Sequence, residues 1–209
     1  MYEIAHMVRD RMPWLWDIMD SLNSCFFQLR YGKKLLLFEQ KRLMNLGCEY
    51  KVIPLREVDA TKMVEFFARQ PNDSYRFFKP HEFDEKSVSK LQKNRAFLAY
   101  ILEDSSNGRI AGYCFNRSFF HGKGFRGRMV DIDYRGRGLG TMINRLLNEV
   151  GFFIGLRLFE TVSKDNVASY RSAISASAFK VVREMSHNEL YLEIINENVM
   201  DKKLNGGVI

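Results

Sequence analysis

The run Tyr134-Arg135-Gly136-Arg137-Gly138-Leu139-Gly140 carries the residue types best suited to chemistry in this chain. Glycines at alternate positions remove Cβ atoms and permit positive φ, so successive backbone N–H groups can converge on one anion. The run lies between a strand-like segment ending at Ile132 and an amphipathic pattern starting near Leu139. Its amides would therefore sit at the positive end of a helix, with Arg135 and Arg137 adding charge-assisted donors. Spacing excludes two familiar phosphate loops. A dinucleotide fingerprint begun at Gly136 needs glycine where the chain has Thr141, and the G-K-[ST] of a P-loop does not occur. Taken alone, such a turn also suits a solvated connection or a single-stranded RNA contact.

What remains is R-x-x-G-x-G, met by Arg135, Gly138 and Gly140. Upstream stands the strand-then-tyrosine approach Arg128 to Tyr134; downstream come a strand candidate from Leu156 to Val162, Asn166, and another strand from Phe179. Together these resemble the pyrophosphate loop and its surroundings in the GNAT superfamily of acyl-CoA-dependent N-acetyltransferases. The resemblance implies acetyl-CoA as co-substrate, held by Arg135, Gly136, Arg137, Gly138, Leu139, Gly140 and Thr141. It further implies a contact from Asn166 to the pantetheine arm and main-chain contacts from Met129 and Val130. Two departures stand out: Ala178 replaces a usual glycine, and Ala173 stands where many members carry a tyrosine acid. No general acid is carried over, and the thiol of the leaving group, with a pKa near cysteine's value of about 8.5, leaves tolerably without one.

Two residues are candidates for handling the amine's proton. Glu160 alternates with Leu158 and Val162, so it falls on an apolar strand face where a carboxylate is unexpected unless paired or functional. His81, in Phe78-Lys79-Pro80-His81-Glu82-Phe83-Asp84, precedes a helix in the segment that shapes the acceptor side of the GNAT cleft. That string is similar to one in GNAT proteins associated with bacterial surface-polysaccharide genes, which implies an amino sugar or sugar nucleotide as acceptor. His81 either relays a proton or packs beneath a helix capped by Asp84. Asp131 and Asp133 read as turn acceptors or partners for Arg128 and Arg135.

The elements that must position these residues follow from periodicity and punctuation. Tyr50 to Leu55 reads as a strand, and Asp59 as the cap of a helix burying Met63, Phe66 and Phe67. A helix over 84–93, a hairpin of Ala96–Leu102 and Arg109–Phe119 about Ser105-Ser106-Asn107-Gly108, and a helix from the glycine turn to about Phe153 come next. A strand from Leu156, a helix after Asn166 and strands near 179–184 and 189–195 complete the GNAT order. The fold class is α+β, a mixed sheet with flanking helices. Residues 1–48 form a mainly helical N-terminal extension, 49–200 the GNAT domain and 201–209 a tail. In the extension, Pro13 should break or restart a helix. The segment 33–46 reads as a second helix or, through Leu35-Leu36-Leu37-Phe38, partly as a strand. Its role is either packing on the domain or a homodimer or basic amphipathic contact.

Composition bounds the rest. The 209 residues are 46% apolar, enough for a packed core, and 32 Lys+Arg against 25 Asp+Glu give +7. The excess is spread along the chain, which favours an anionic cofactor over nucleic acid. Three cysteines and four histidines, all scattered, imply neither a disulfide framework nor a metal site. There is no signal peptide pattern and no membrane-span stretch, so a cytoplasmic protein is expected. The sequence predicts an N-acetyltransferase acting on a small-molecule amine by direct attack. A catalytically degenerate CoA-binding or nucleic-acid-binding module on the same fold is the alternative.

Overall fold

A computed structural model of the protein describes residues 12–42, 49–186 and 188–196. The predicted tail 201–209, and residues 43–48 of the predicted extension, lie outside them. The elements run α1 (Pro13–Arg42), β1 (Tyr50–Pro54), α2 (Ala60–Ala68), α3 (Glu85–Lys93), β2 (Phe97–Asp104), β3 (Ile110–Ser118), β4 (Lys123–Val130), α4 (Leu139–Ile154), β5 (Arg157–Ser163), α5 (Val167–Ile174), β6 (Phe179–Glu184) and β7 (Glu189–Ile194). The seven strands form one mixed sheet ordered β1-β2-β3-β4-β5-β7-β6, antiparallel except where β4 meets β5. This is the α+β architecture expected from the sequence.

Strand alternation sends side chains to two cores. One face of the sheet packs Met63, Phe66 and Phe67 of α2 and Val88 of α3. The other packs Ile143, Leu147 and Val150 of α4 together with Phe27, Tyr31, Leu35 and Phe38 of α1. The caps read from the sequence are formed: Asp59 accepts from the Thr61 amide, and Asp84 accepts from Ser87 at 2.9 Å. Each satisfies a first-turn donor that the helix itself cannot.

The structure corrects the reading in two places. Residues 13–42 are one unbroken 30-residue helix, not two helices or a helix and a strand. Pro13 occupies its first position, where a missing N–H costs nothing, and of the Leu35 to Phe38 run Leu35 and Phe38 join the buried stripe while Leu36 and Leu37 are exposed. Strand β4 ends at Val130 rather than Ile132, because Asp131 starts a 3-10 turn over Ile132–Tyr134 and accepts from the Asp133 amide.

The feature that matters for function is a fork. Strands β4 and β5 pair only through Lys123, Gly124 and Phe125 opposite Arg157, Leu158 and Phe159. From Arg126 onward β4 has β3 on one side and no strand on the other.

Because Phe38 is fully buried while Leu29 on the same helix is 77% exposed, Phe38→Ala should cost about 3–5 kcal/mol and Leu29→Ala within about 0.5. Urea unfolding of the two variants measures the difference.

Candidate active site

The glycine turn sits at the mouth of the fork. Gly136 and Gly138 both adopt φ of +77°, the left-handed region that penalises any side chain. Gly138 is the N-cap of α4 and offers no side-chain acceptor, so the first-turn amides of a 16-residue helix receive no cap from the protein. Apart from the Thr141 amide, which bonds Gly138 O, these donors lie unpaired among the described residues at the positive end of the helix dipole.

Neighbouring groups pin this turn in place. The buried Tyr134 donates its hydroxyl to Asp104 at 2.8 Å, tying the turn to the β2–β3 hairpin. Arg135 donates to Ser74 at 2.7 Å, and the Arg137 guanidinium lies 4.9 Å from the centre of the Tyr134 ring. Asp131 is a turn acceptor as read, taking the Asp133 amide, and the arginine partners of Asp131 and Asp133 are Arg69 and Arg109, not Arg128 and Arg135.

A cleft of about 810 Å³ runs from this turn through the fork. Of the residues nominated for the cofactor, Met129, Val130, Arg135, Gly136, Leu139, Gly140 and Asn166 line it. Arg137, Gly138 and Thr141 are not among its lining. The Thr141 amide is used within the helix, bonding Gly138 O. Asn166 caps α5, its Oδ1 accepting from the Ser169 amide at 3.1 Å. Its Nδ2 has no hydrogen-bond partner among the described residues. Ala173 is buried, so the helix offers no phenol, and Tyr170 packs against the core.

Inside the fork, a buried cluster joins the two strands. Glu160 Oε2 on β5 accepts from Arg126 of β4 at 2.7 Å and from Arg128 at 3.1 Å. Arg128 continues to Ser169 and Ser172 of α5, and Arg126 to Asn148 of α4. Burial pushes the Glu160 carboxyl up, but Arg126 and Arg128 outweigh this and hold it below the usual carboxylate range. Burial lowers Arg126 in turn, with Glu160 opposing, yet an arginine stays protonated at physiological pH. Glu160 Oε1 is buried with no partner, and Glu160, Arg126 and Arg128 all line the cleft.

His81 lies elsewhere. Its Nδ1 meets Glu82 O at 2.7 Å, so Nδ1 carries the proton, and Nε2 then accepts from the Tyr113 hydroxyl at 2.9 Å. Phe67, Phe83, Phe97 and Phe115 surround the ring. Burial lowers its pKa, so it is neutral near pH 7. It is not among the cleft's lining.

The far end of the cleft was not legible as a site. Phe77 and Phe78 come from the segment before α3, Phe115 and Arg117 from β3, Phe125 from β4, and Met185 and Glu189 from the β6–β7 end. Gly127 makes room for this wall: a Cβ there would fall 2.3 Å from Phe115 Cζ. Arg117 stacks 5.4 Å from the centre of Phe97 and has no carboxylate partner among the described residues. The spacing of Arg126 and Arg128 around Gly127 puts both on one face of β4, but nothing in the sequence pairs them with Glu160.

No group of three or more His, Cys, Asp or Glu side chains among the described residues is arranged to hold a metal. No helix there is long and apolar enough to cross a membrane.

No protein-family model matches the chain, and no curated protein matches it by sequence. Solved structures do match. The GNAT domain of S. lividans PAT superposes with a TM-score of 0.60 at 15% identity, covering 69% of this chain and 89% of that one. Ribosomal-protein-S5-alanine acetyltransferase from Vibrio fischeri gives 0.60 at 15% identity, covering 70% and 92%. AAC(6')-Ib in complex with paromomycin and acetyl-CoA gives 0.55 at 15% identity, covering 73% and 97%. At these identities the likeness shows the fold.

Glu160→Gln should destabilise the protein by about 3–5 kcal/mol, because it leaves two buried guanidiniums facing a neutral amide. With the folded pKa lowered, the wild-type advantage is present above about pH 4.3 and is lost as pH falls through the folded value. Denaturant titrations of both proteins from neutral to acid pH test this. A constant gap at every pH would contradict it.

Proposed function

We propose that this chain, which has the GNAT acetyltransferase fold, is an acetyl-CoA-dependent N-acetyltransferase acting on a primary amine of a small acceptor. The observation that carries the reading is the fork between β4 and β5, with an uncapped glycine-bounded helix terminus at its mouth. A pyrophosphate satisfies the amides at Gly138 to Gly140, assisted by Arg135. The pantetheine arm extends along the unpaired edge of β4 at Met129 and Val130, as an added strand would. Asn166 Nδ2 donates to the arm from the opposite side. Arg137 and Thr141 act indirectly, the one by packing on Tyr134 and the other by closing the first helical turn.

The amine attacks the thioester carbonyl, the C–N bond forms, and the tetrahedral oxyanion collapses with loss of the CoA thiolate. A β4 main-chain amide meets the oxyanion, where one donor is worth about 3–4 kcal/mol. Arg128, a cation in the lining anchored by Ser169 and Ser172, offsets charge on the departing sulfur, which suits a chain with Ala173 in place of a phenol. Of the two residues nominated for the proton, Glu160 is the one in the cleft. Its Oε1 is buried without a partner, so Glu160 acts by fixing Arg126 and Arg128 rather than by touching the amine. A carboxylate held so acidic takes a full proton poorly, so the amine arrives neutral or loses its proton to water. His81 is a positioning residue: through Tyr113 and the phenylalanines it sets the shape of the acceptor wall.

The acceptor we infer is an amino sugar or sugar nucleotide. Supporting this, Phe77, Phe78, Phe115 and Phe125 offer faces to a ring. Arg117 and Lys79 offer cations, neither with an ion-pair partner among the described residues. Such a pairing of aromatic faces with guanidinium and ammonium groups suits a ring bearing phosphate.

CoA should raise the melting temperature by roughly 5 to 10 °C at a hundredfold excess over its dissociation constant, with ATP and NAD giving less. Gly138→Val, which puts a β-branched residue at positive φ beside the pyrophosphate, should abolish most of that shift; equal shifts in both proteins would overturn the loop's role. In steady-state assays, Glu160→Gln should lower kcat/KM about 100-fold and His81→Asn less than about 10-fold. The wild-type rate should climb with the ionisation of the acceptor amine and show no limb near pH 6–7. No thiol release with any pooled amine would favour the non-catalytic CoA-binding alternative.

A further inference from the structure

One large surface has no part in the cleft. Helix α1 is apolar on two sides. Phe27, Tyr31, Leu35 and Phe38 fill the core, while Ile18, Leu22, Leu29 and Leu36, spaced by four and seven residues, form a row facing out. Met19 and Phe26 widen the row, and each is about half exposed. Phe120, in the turn between β3 and β4, contacts Phe26 with ring centroids 5.7 Å apart, so a second element shares the same plane. Contiguous apolar surface on this scale marks a contact site.

Charge identifies the partner. The acids of α1 are engaged with their own domain: Asp17 with Lys90, Asp20 with Asn94, and Glu39 with Arg56 and Tyr100. The exposed charges beside the apolar row are Arg30, Lys33 and Lys34, and the two lysines have no ion-pair partner among the described residues. A second copy meeting this face would bring basic residues with no acidic counterpart on either side, whereas paired helices select each other through opposite charges. Nucleic acid would leave the leucine row unburied.

We propose that α1 lies in the headgroup region of an anionic lipid bilayer, its leucine row in the acyl boundary and its lysines on the phosphates. Lys33, close to the row, can extend its ammonium to the headgroups while its methylenes stay with the leucines. With no helix among the described residues long and apolar enough to cross, α1 rests in the interface plane.

Both tryptophans of the chain, Trp14 and Trp16, stand on this helix, so intrinsic fluorescence reports on it directly. The probes are vesicles of pure phosphatidylcholine and vesicles with roughly one-third phosphatidylglycerol. The expected result is a blue shift and co-sedimentation with the anionic vesicles, weak binding to the neutral ones, and loss of binding as salt rises. A Leu22→Glu/Leu29→Glu double variant and a Lys33→Glu/Lys34→Glu double variant should each bind at least about tenfold more weakly with unchanged melting temperature. Four results would overturn the proposal: no binding to either vesicle; equal, salt-insensitive binding to both; undiminished binding by the folded variants; or a dimer in light scattering that the leucine variant dissociates while vesicles bind neither form.

Discussion

The site depends on keeping two neighbouring strands of one sheet apart. Strands side by side would ordinarily go on pairing, since each unpaired backbone group in a buried setting costs free energy. Here β4 and β5 separate after Phe125 and Phe159, and the gap is held by charge rather than by main-chain bonds. Arg126 and Arg128 reach across to one carboxylate, and Ser169, Ser172 and Asn148 take further guanidinium donors, so most of the cluster's hydrogen bonds are met while Glu160 Oε1 is left without a partner. An apolar pair at these positions would pack and close the opening. The ionic bridge spans it, with the second carboxylate oxygen buried and unpartnered among the described residues.

Everything else that shapes the cleft hangs on this geometry. Helix α4 starts where the fork opens because the 3-10 turn after β4, begun at Asp131, redirects the chain. Tyr134 then fastens the turn to Asp104, whose own carboxyl is held at about 2 by Ser106, first, and by Tyr134 and Asn107. The glycines thus hold positive φ between two fixed points, so the amides of the turn are set in place before any ligand binds.

The glycine turn proposed to hold the cofactor was legible in the sequence because it is contiguous. A phosphate turn needs glycines at set spacing next to a helix start, and 134–140 wrote that in seven residues. Glu160 was legible only as an anomaly: a carboxylate in an apolar alternation predicts a partner but does not name it. Arg126 and Arg128 precede it by more than thirty residues and meet it through the strand crossover. The far wall of the cleft draws on several separate segments, of which only the stretch from Phe78 was read as the acceptor side, and His81 looked available because its partner Tyr113 lies on β3, distant in sequence. In the N-terminal helix the start at Pro13 agrees with the reading, whereas the run Leu35 to Phe38 was misjudged, since four successive apolar residues suit a strand as well as a helix that is apolar on two sides.

The seam at Lys123–Phe125 also divides the sheet mechanically. Strands β1 to β4 form one continuous hydrogen-bonded ribbon and β5, β7 and β6 another, joined by three facing residue pairs. Bending at so narrow a joint breaks few bonds, whereas bending within either ribbon breaks many. What resists bending at the seam is side-chain contact: α4 packs on strands of both ribbons in one shared core, and Glu160 of β5 is tied to Arg126 and Arg128 of β4, so side chains hold together two ribbons that main-chain bonds scarcely join.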